Sequence, residues 1–147
     1  MNTSIGQIQE KDFEELIALF KEFAEFENLP ERMVNTVERM KSEKDFFDGF
    51  IIRNDKQEII GYTIFFFTYQ TWTGKTLYMD DLYIRKEYRG KGLGSQLINK
   101  VKEFAKNTNC YKLRWQVSNW NHPAIKFYKE LGATIDEVER NCDLILN

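Results

Sequence analysis

A mixed α/β fold, with a central sheet flanked by helices, is the architecture this sequence predicts, and three observations carry the prediction. Runs of β-branched and aromatic residues, Phe50 to Ile52, Ile59 to Tyr69 and Thr76 to Ile84, crowd the middle of the chain. Helical periodicity brackets them, with Phe13, Leu16, Ile17, Phe20, Phe23 and Ala24 before and Leu93, Leu97, Ile98, Val101, Phe104 and Ala105 after. Beyond the second helical pattern, strand and helix signals alternate again, which implies a mixed sheet with helices on its faces.

The elements follow in order. Ser4 to Gln9 reads as a short strand, and Lys11-Asp12 opens the first helix. Pro30 stops that helix, and a second, more polar one is expected from Glu31 to Lys44. Its apolar face (Met33, Val34, Val37, Met40) is thin, which suits the surface. Asn54-Asp55-Lys56 and Thr73-Gly74-Lys75 carry turn chemistry between the central strands. Tyr111, Leu113, Trp115 and Val117 alternate with Lys112, Arg114 and Gln116, the period of a strand. Asn121 to Leu131 reads as a helix with Pro123 in its first turn and Gly132 at its end. Thr134 to Leu146 is expected to hold one or two closing strands.

Composition bounds the function. The 147 residues suit a single domain over 1–147, and 42% hydrophobic content is that of a globular chain. A net charge of −2 lacks the basic surplus that phosphate-driven nucleic-acid binding needs, so no nucleic-acid partner is expected. The longest apolar run, Ile64 to Phe67, is too short to span a bilayer, and the first ten residues lack a signal pattern. The expectation is a cytoplasmic protein without a membrane partner. Cys110 and Cys142 have no zinc spacing, so no metal is expected; by counting alone they allow one disulfide.

The strongest local signal is Arg89-Gly90-Lys91-Gly92-Leu93-Gly94-Ser95, where a strand hands over to a helix. Helix N-termini present unpaired N–H groups and a partial positive charge, and glycines let the backbone approach an anion closely. Together they form a site suited to a pyrophosphate, with Arg89 and Lys91 adding charge beside it. The spacing is neither GxxxxGK[ST] nor the GxGxxG of a first βα unit. A glycine-rich turn that merely starts a helix is the plainer alternative.

Arg89, Gly92 and Gly94 in the RxxGxG pattern, together with Asn121-x-x-Ala124-x-x-x-Tyr128, resemble the GCN5-related N-acetyltransferase (GNAT) family. The order of elements resembles that family over essentially the whole chain. Within it, Phe67 to Lys75, Leu77 to Asp81 and Trp120 to Lys129 look closest to the spermidine/spermine (diamine) acetyltransferases. The resemblance implies a GNAT-like acyl-CoA N-acyltransferase fold and acetyl-CoA as co-substrate. It assigns Leu82, Tyr83 and Ile84 to the pantetheine arm, and Arg89, Gly90, Lys91, Gly92, Leu93, Gly94 and Ser95 to the pyrophosphate. Asn121 and Ala124 would contact the cofactor. Tyr128 would protonate the departing thiolate, a role a phenol can fill, or be only a half-buried helix aromatic. Asp80 takes the position of a glutamate that assists the amine, here one methylene shorter. Because adjacent strand residues point to opposite faces, only one of Asp80 and Asp81 is expected to face the site.

Phe26, Glu27, Asp80 and Trp120 are the acceptor-binding candidates, Glu27 being equally readable as a solvated helix end. Trp72 and Trp115 could also line an amine pocket, and Glu137 or Glu139 could supply an acid from the last strands. His122, the only histidine, follows Asn121 at a position that is not catalytic in the family. The resulting expectation is direct acetyl transfer to a primary amine of a small molecule, of polyamine or lysine-analogue type, by a homodimer. Protein or peptide acetylation and a non-catalytic CoA-binding module are the alternatives.

Overall fold

The computed structural model describes residues 2–146. They fall into two compact units, the first running through Trp115 and the second starting at Gln116. The first unit is built on a five-stranded sheet of β1 (Ser4–Gln7), β2 (Asp48–Arg53), β3 (Ile59–Gln70), β4 (Gly74–Ile84) and β5 (Lys112–Arg114), arranged in chain order. The first four strands pair antiparallel. After β4 the helix α3 (Leu93–Asn107) crosses over and β5 returns parallel to β4, as a connection of that length allows.

Alternation on the central strands sends apolar side chains to both faces. On one face Phe13, Leu16, Ile17 and Leu19 of α1 (Phe13–Phe26) pack with Ile51, Tyr62, Ile64 and Tyr83. On the other, Leu93 and Leu97 of α3 meet Ile52 and Ile60, with Leu82 and Ile84 beside them. The rings of Phe50, Phe65 and Phe67 gather round Phe104 on that side, at centroid distances of 6.5, 4.8 and 5.9 Å. Leu16 and Leu97 are both fully buried, and removing such a side chain to alanine costs about 2–5 kcal/mol. Near the start of α1 the buried Asp12 pairs with Arg53 of β2 and accepts from the Gln9 amide at 2.8 Å.

Several elements are shorter than the sequence suggests. The second helix is not continuous from Glu31 to Lys44. A 3-10 turn at Pro30–Arg32 gives way to extended chain, and α2 (Val37–Ser42) starts only after Thr36, whose Oγ1 accepts from the Arg39 amide at 3.1 Å. Thr36 serves as an N-cap rather than an interior residue, as its short polar side chain favours. Met40 of α2 is buried in the core instead of lying on the surface.

The second unit carries α4 (His122–Glu130). Asn121 Oδ1 accepts from the Ala124 amide at 3.4 Å at its start, and Gly132, with φ of 92°, ends it. The closing strands expected over 134–146 are not formed among the described residues. Val138, Leu144, Ile145 and Leu146 there are all more than three-quarters exposed, and apolar residues without a neighbouring strand do not make a stable one. Cys110 and Cys142 are free thiols.

Candidate active site

β4 organises the site, and a β-bulge in it decides which side chains meet. Ile64 of β3 lies opposite Asp81, but the next residue, Phe65, lies opposite Met79, so Asp80 has no partner. A residue inserted in this way re-aims the strand. Asp81 shares the α1 face with Ile64 and Tyr62, and Tyr78 shares that face with Phe66. Counting outward from both sides of the bulge, Asp80 and Asp81 project to the same face. The expectation that only one of them can face the site fails for this reason.

Asp81 is the more enclosed of the two. The Tyr62 hydroxyl donates to its Oδ2 at 3.0 Å, and Thr63 Oγ1 donates to its backbone oxygen at 2.8 Å. Burial and the adjacent Asp80 carboxylate push Asp81 up to about 7, and Glu27 adds to the lift while the Tyr62 hydrogen bond opposes it. Asp80 is exposed as a residue, yet partial burial of its carboxyl still raises it above its ordinary range. A carboxylate that titrates near neutrality can accept a proton from an ammonium group and release it again. Sequence reasoning weighed Asp81 only as the alternative to Asp80 and passed over Tyr62. The signal that could have found them is the acidic pair inside an otherwise apolar strand, which simple alternation cannot accommodate without a bulge.

Past the bulge β4 loses its outer neighbour. Pairing with β5 covers only Thr76 to Tyr78, and from Met79 to Ile84 no strand lies on that side among the described residues. The Arg85 amide donates inward to Ile60 O at 2.9 Å. By alternation the backbone of Tyr83 also points inward to β3, while that of Leu82 and Ile84 points to the unpaired edge. Of the three residues expected to meet a pantetheine arm, Leu82 and Ile84 therefore present backbone groups there. Tyr83 instead turns its ring onto Phe23 (centroids 5.0 Å apart) and donates from its hydroxyl to Glu22 at 2.6 Å.

The glycine loop follows directly. Gly90 and Gly92 have φ of 77° and 80°, the left-handed region open to glycine. The first helical bond of α3 runs from the Gln96 amide to Gly92 O, so the amides of Leu93, Gly94 and Ser95 have no partner within the helix. A Cβ built on Gly90, Gly92 or Gly94 would meet nothing within 4 Å. Unspent amides around open space fit a pyrophosphate. The Arg89 side chain is directed elsewhere: Nε donates to Ile84 O at 2.8 Å, and the guanidinium lies over the rings of Phe26 (4.7 Å) and Tyr83 (5.4 Å). Lys91 Nζ lies 5.7 Å from the Tyr88 ring. Arg89 thus ties the loop to the end of α1, where Phe26 and Glu27 stand.

The remaining site residues are distributed less closely. Trp72 is almost fully exposed at the β3–β4 turn. Asn121, Ala124, Tyr128 and Trp120 belong to the second unit, where Asn121 caps α4 and Tyr128 is buried on it beside Phe127, with ring centroids 5.5 Å apart. Among the described residues no cluster of His, Cys, Asp and Glu has the makings of a metal site.

A loop of unspent amides continuous with an unpaired strand edge suits a long phosphorylated donor, and the architecture is that of an acyl-group transferase. Residues 11–133 match the model of the acetyltransferase (GNAT) family, and the chain belongs to that family. It is an acetyltransferase, and acetyl-CoA is the family's co-substrate. Thialysine N-epsilon-acetyltransferase of Mus musculus is 33% identical over 143 residues, covering 90% of this chain and 84% of the relative. Spermidine/spermine N(1)-acetyltransferase-like protein 1 of Homo sapiens is 31% identical over 132 residues, covering 83% of this chain and 19% of that protein. Among solved structures, an aminoglycoside acetyltransferase from an uncultured soil metagenomic sample superposes with a TM-score of 0.81 at 22% identity, covering 99% of this chain and 100% of that one, a likeness of fold.

Proposed function

We propose that this enzyme transfers the acetyl group of acetyl-CoA to the primary amine of a small molecule with a short alkyl arm, of lysine-analogue or polyamine type. The observation that carries the reading is the group of carboxylates, Asp80 and Asp81 with Glu27 acting on Asp81, beside the unpaired edge of β4. Such a group attracts an alkylammonium and can discharge it. The names of the mouse and human relatives support the same acceptor class.

Acetyl-CoA supplies an activated acyl carbon. The amides of Gly90 to Ser95 would hold its pyrophosphate, and the Leu82 backbone with the Ile84 N–H would pair with its arm, where an N–H would also support the oxyanion. Phe26 and Glu27 would receive the acceptor on the first unit, and Trp120 is added to them only by its place in the Trp120 to Lys129 stretch. Asp81 takes a proton from the ammonium, and Asp80, facing solvent, draws the cation in and assists directly or through water. Tyr128, supported by its place in the Asn121-x-x-Ala124-x-x-x-Tyr128 pattern, protonates the departing thiolate.

The test is an acceptor screen with detection of the released thiol, offering thialysine, lysine, ornithine, spermidine, an aminoglycoside and a peptide with a free N-terminus. Turnover confined to the last two would overturn the reading. Tyr128→Phe lowers kcat about a hundredfold or more with the KM for acetyl-CoA little changed; an unchanged rate removes Tyr128 from the mechanism.

The family match runs across the junction of the two units, which supports their acting as one transferase domain over 1–147. No helix among the described residues is long and apolar enough to cross a membrane. A cytoplasmic homodimer belongs to the same proposal, with sedimentation and fractionation as its checks.

A further inference from the structure

We infer that Tyr62, a core residue of β3, is a positioning residue for acetyl transfer: its phenol occupies Oδ2 of Asp81 and so directs the amine's proton to Oδ1. This rests on Asp81 serving as the proton acceptor, as proposed above.

Tyr62 is fully buried and cannot touch the acceptor. Its ring is fixed between Phe20 and Tyr83, with centroids 5.1 and 6.0 Å away, so its hydroxyl has little freedom. That hydroxyl donates to Asp81 Oδ2 at 3.0 Å, and the neighbouring Thr63 pins the Asp81 carbonyl at 2.8 Å. Side chain and backbone of one carboxylate are thus held from consecutive residues of the adjacent strand. A phenylalanine would fill the same space, so packing alone does not account for the buried hydroxyl, which needs a partner. The partner it has is the carboxylate at the site.

The charged and titratable groups around Asp81 come from three directions. Asp80, the bulged residue, lies on its own strand, Tyr62 on β3, and Glu27 at the end of α1. Behind them Tyr83, Glu22, Arg85 and Arg89 are tied to one another and to Phe26. Among these, the Tyr62 hydrogen bond is the interaction that favours the ionised Asp81. In the reaction the ammonium gives one proton to Asp81, the N–C bond forms and the C–S bond breaks. The second nitrogen proton reaches the thiolate by way of Tyr128, and Asp81 returns its own proton to water.

The experiment is the pH profile of kcat/KM for wild type, Tyr62→Phe and Asp81→Asn with one amine. Losing a hydrogen bond to a charged group moves the acid limb of Tyr62→Phe upward by about one pH unit. Activity then drops about tenfold below the limb and is largely regained above it, at unchanged KM for acetyl-CoA. Fluorotyrosine placed at position 62, a stronger donor of the same shape, moves the limb the opposite way. A limb that stays put in folded Tyr62→Phe, or one that fluorotyrosine leaves unmoved, overturns the inference. Loss of the limb in Asp81→Asn keeps the underlying reading intact, whereas an unaltered limb there overturns that reading itself.

Discussion

Replacing Gly92 by alanine separates what the loop does for the fold from what it does for the donor. Gly92 has φ of 80°, and a Cβ there would meet no atom within 4 Å. The penalty for the fold is therefore conformational: about 1–2 kcal/mol for a non-glycine residue in the left-handed region. For a chain of 147 residues that is a Tm lower by about 2–8 °C. Gly132 offers a matched control outside the loop, with φ of 92° and equally open space for a Cβ. Gly132→Ala should lose a similar amount of stability. The two variants part company in the assay. In the loop the added methyl stands where an anion approaches the amides and costs one or two charge-assisted hydrogen bonds, each worth about 1.5–3 kcal/mol. The KM for acetyl-CoA, or the Kd for CoA by calorimetry, should rise about tenfold or more in Gly92→Ala and stay put in Gly132→Ala. Equal donor affinity in both variants, with equal loss of Tm, would show the loop to be a turn that starts a helix and nothing more.

Other outcomes follow from the same geometry. Arg89→Met removes the guanidinium from Phe26 and Tyr83 while keeping an apolar stem; loosening the end of α1 should raise the amine KM about two- to fivefold, the worth of one exposed cation–π contact, in steady-state kinetics. Asp12→Ala removes the buried partner of Arg53, which keeps Glu15 and the Gln57 carbonyl, and should destabilise the protein by about 1.5–3 kcal/mol in urea denaturation, the worth of a hydrogen bond to a charged group, with kcat of the folded fraction unchanged. Asp81→Asn should stabilise the protein at pH 8. The folded state holds the Asp81 proton more tightly than the unfolded chain, so that contribution is full below about pH 4 and is lost as pH rises to about 7. An amide cannot ionise, so the variant matches wild type near pH 4 and exceeds it by about 2–4 kcal/mol at pH 8, three pKa units at about 1.4 kcal/mol each being the ceiling. Thermal melts at the two pH values check it.

The three longer helices were legible because their signals are local, whereas the helix expected from Glu31 to Lys44 was not. The period of Phe13 to Ala24, the face of Leu93 to Ala105 and the Asn121–Pro123 start of α4 each depend on neighbours a few residues away. The glycine loop was legible for the same reason. What alternation could not express is the bulge at Asp80, since that depends on how β3 registers with β4. The acidic pair was visible, but which face it served was not, and the Tyr62–Asp81 bond spans 19 positions that no local pattern links. The Arg89 side chain misled by type: a cation beside a phosphate loop is read as a phosphate ligand, whereas here π faces and a strand carbonyl claim it. The closing strands were expected from apolar content, which needs a partner edge before it becomes a strand.

An unpaired strand edge is also a colloidal hazard, because its bare amides will anneal to any passing extended chain. From Met79 onward β4 carries such an edge, and the features beside it read differently in that light. The bulge kinks the strand out of register for a stray neighbour, the exposed Asp80 adds charge beside it, and Arg89 seals the Ile84 carbonyl at the far end. The features proposed to prepare one edge for a cofactor would also keep the enzyme from clumping while it waits, so Asp80→Asn should surface as lost solubility at high concentration as well as lost turnover.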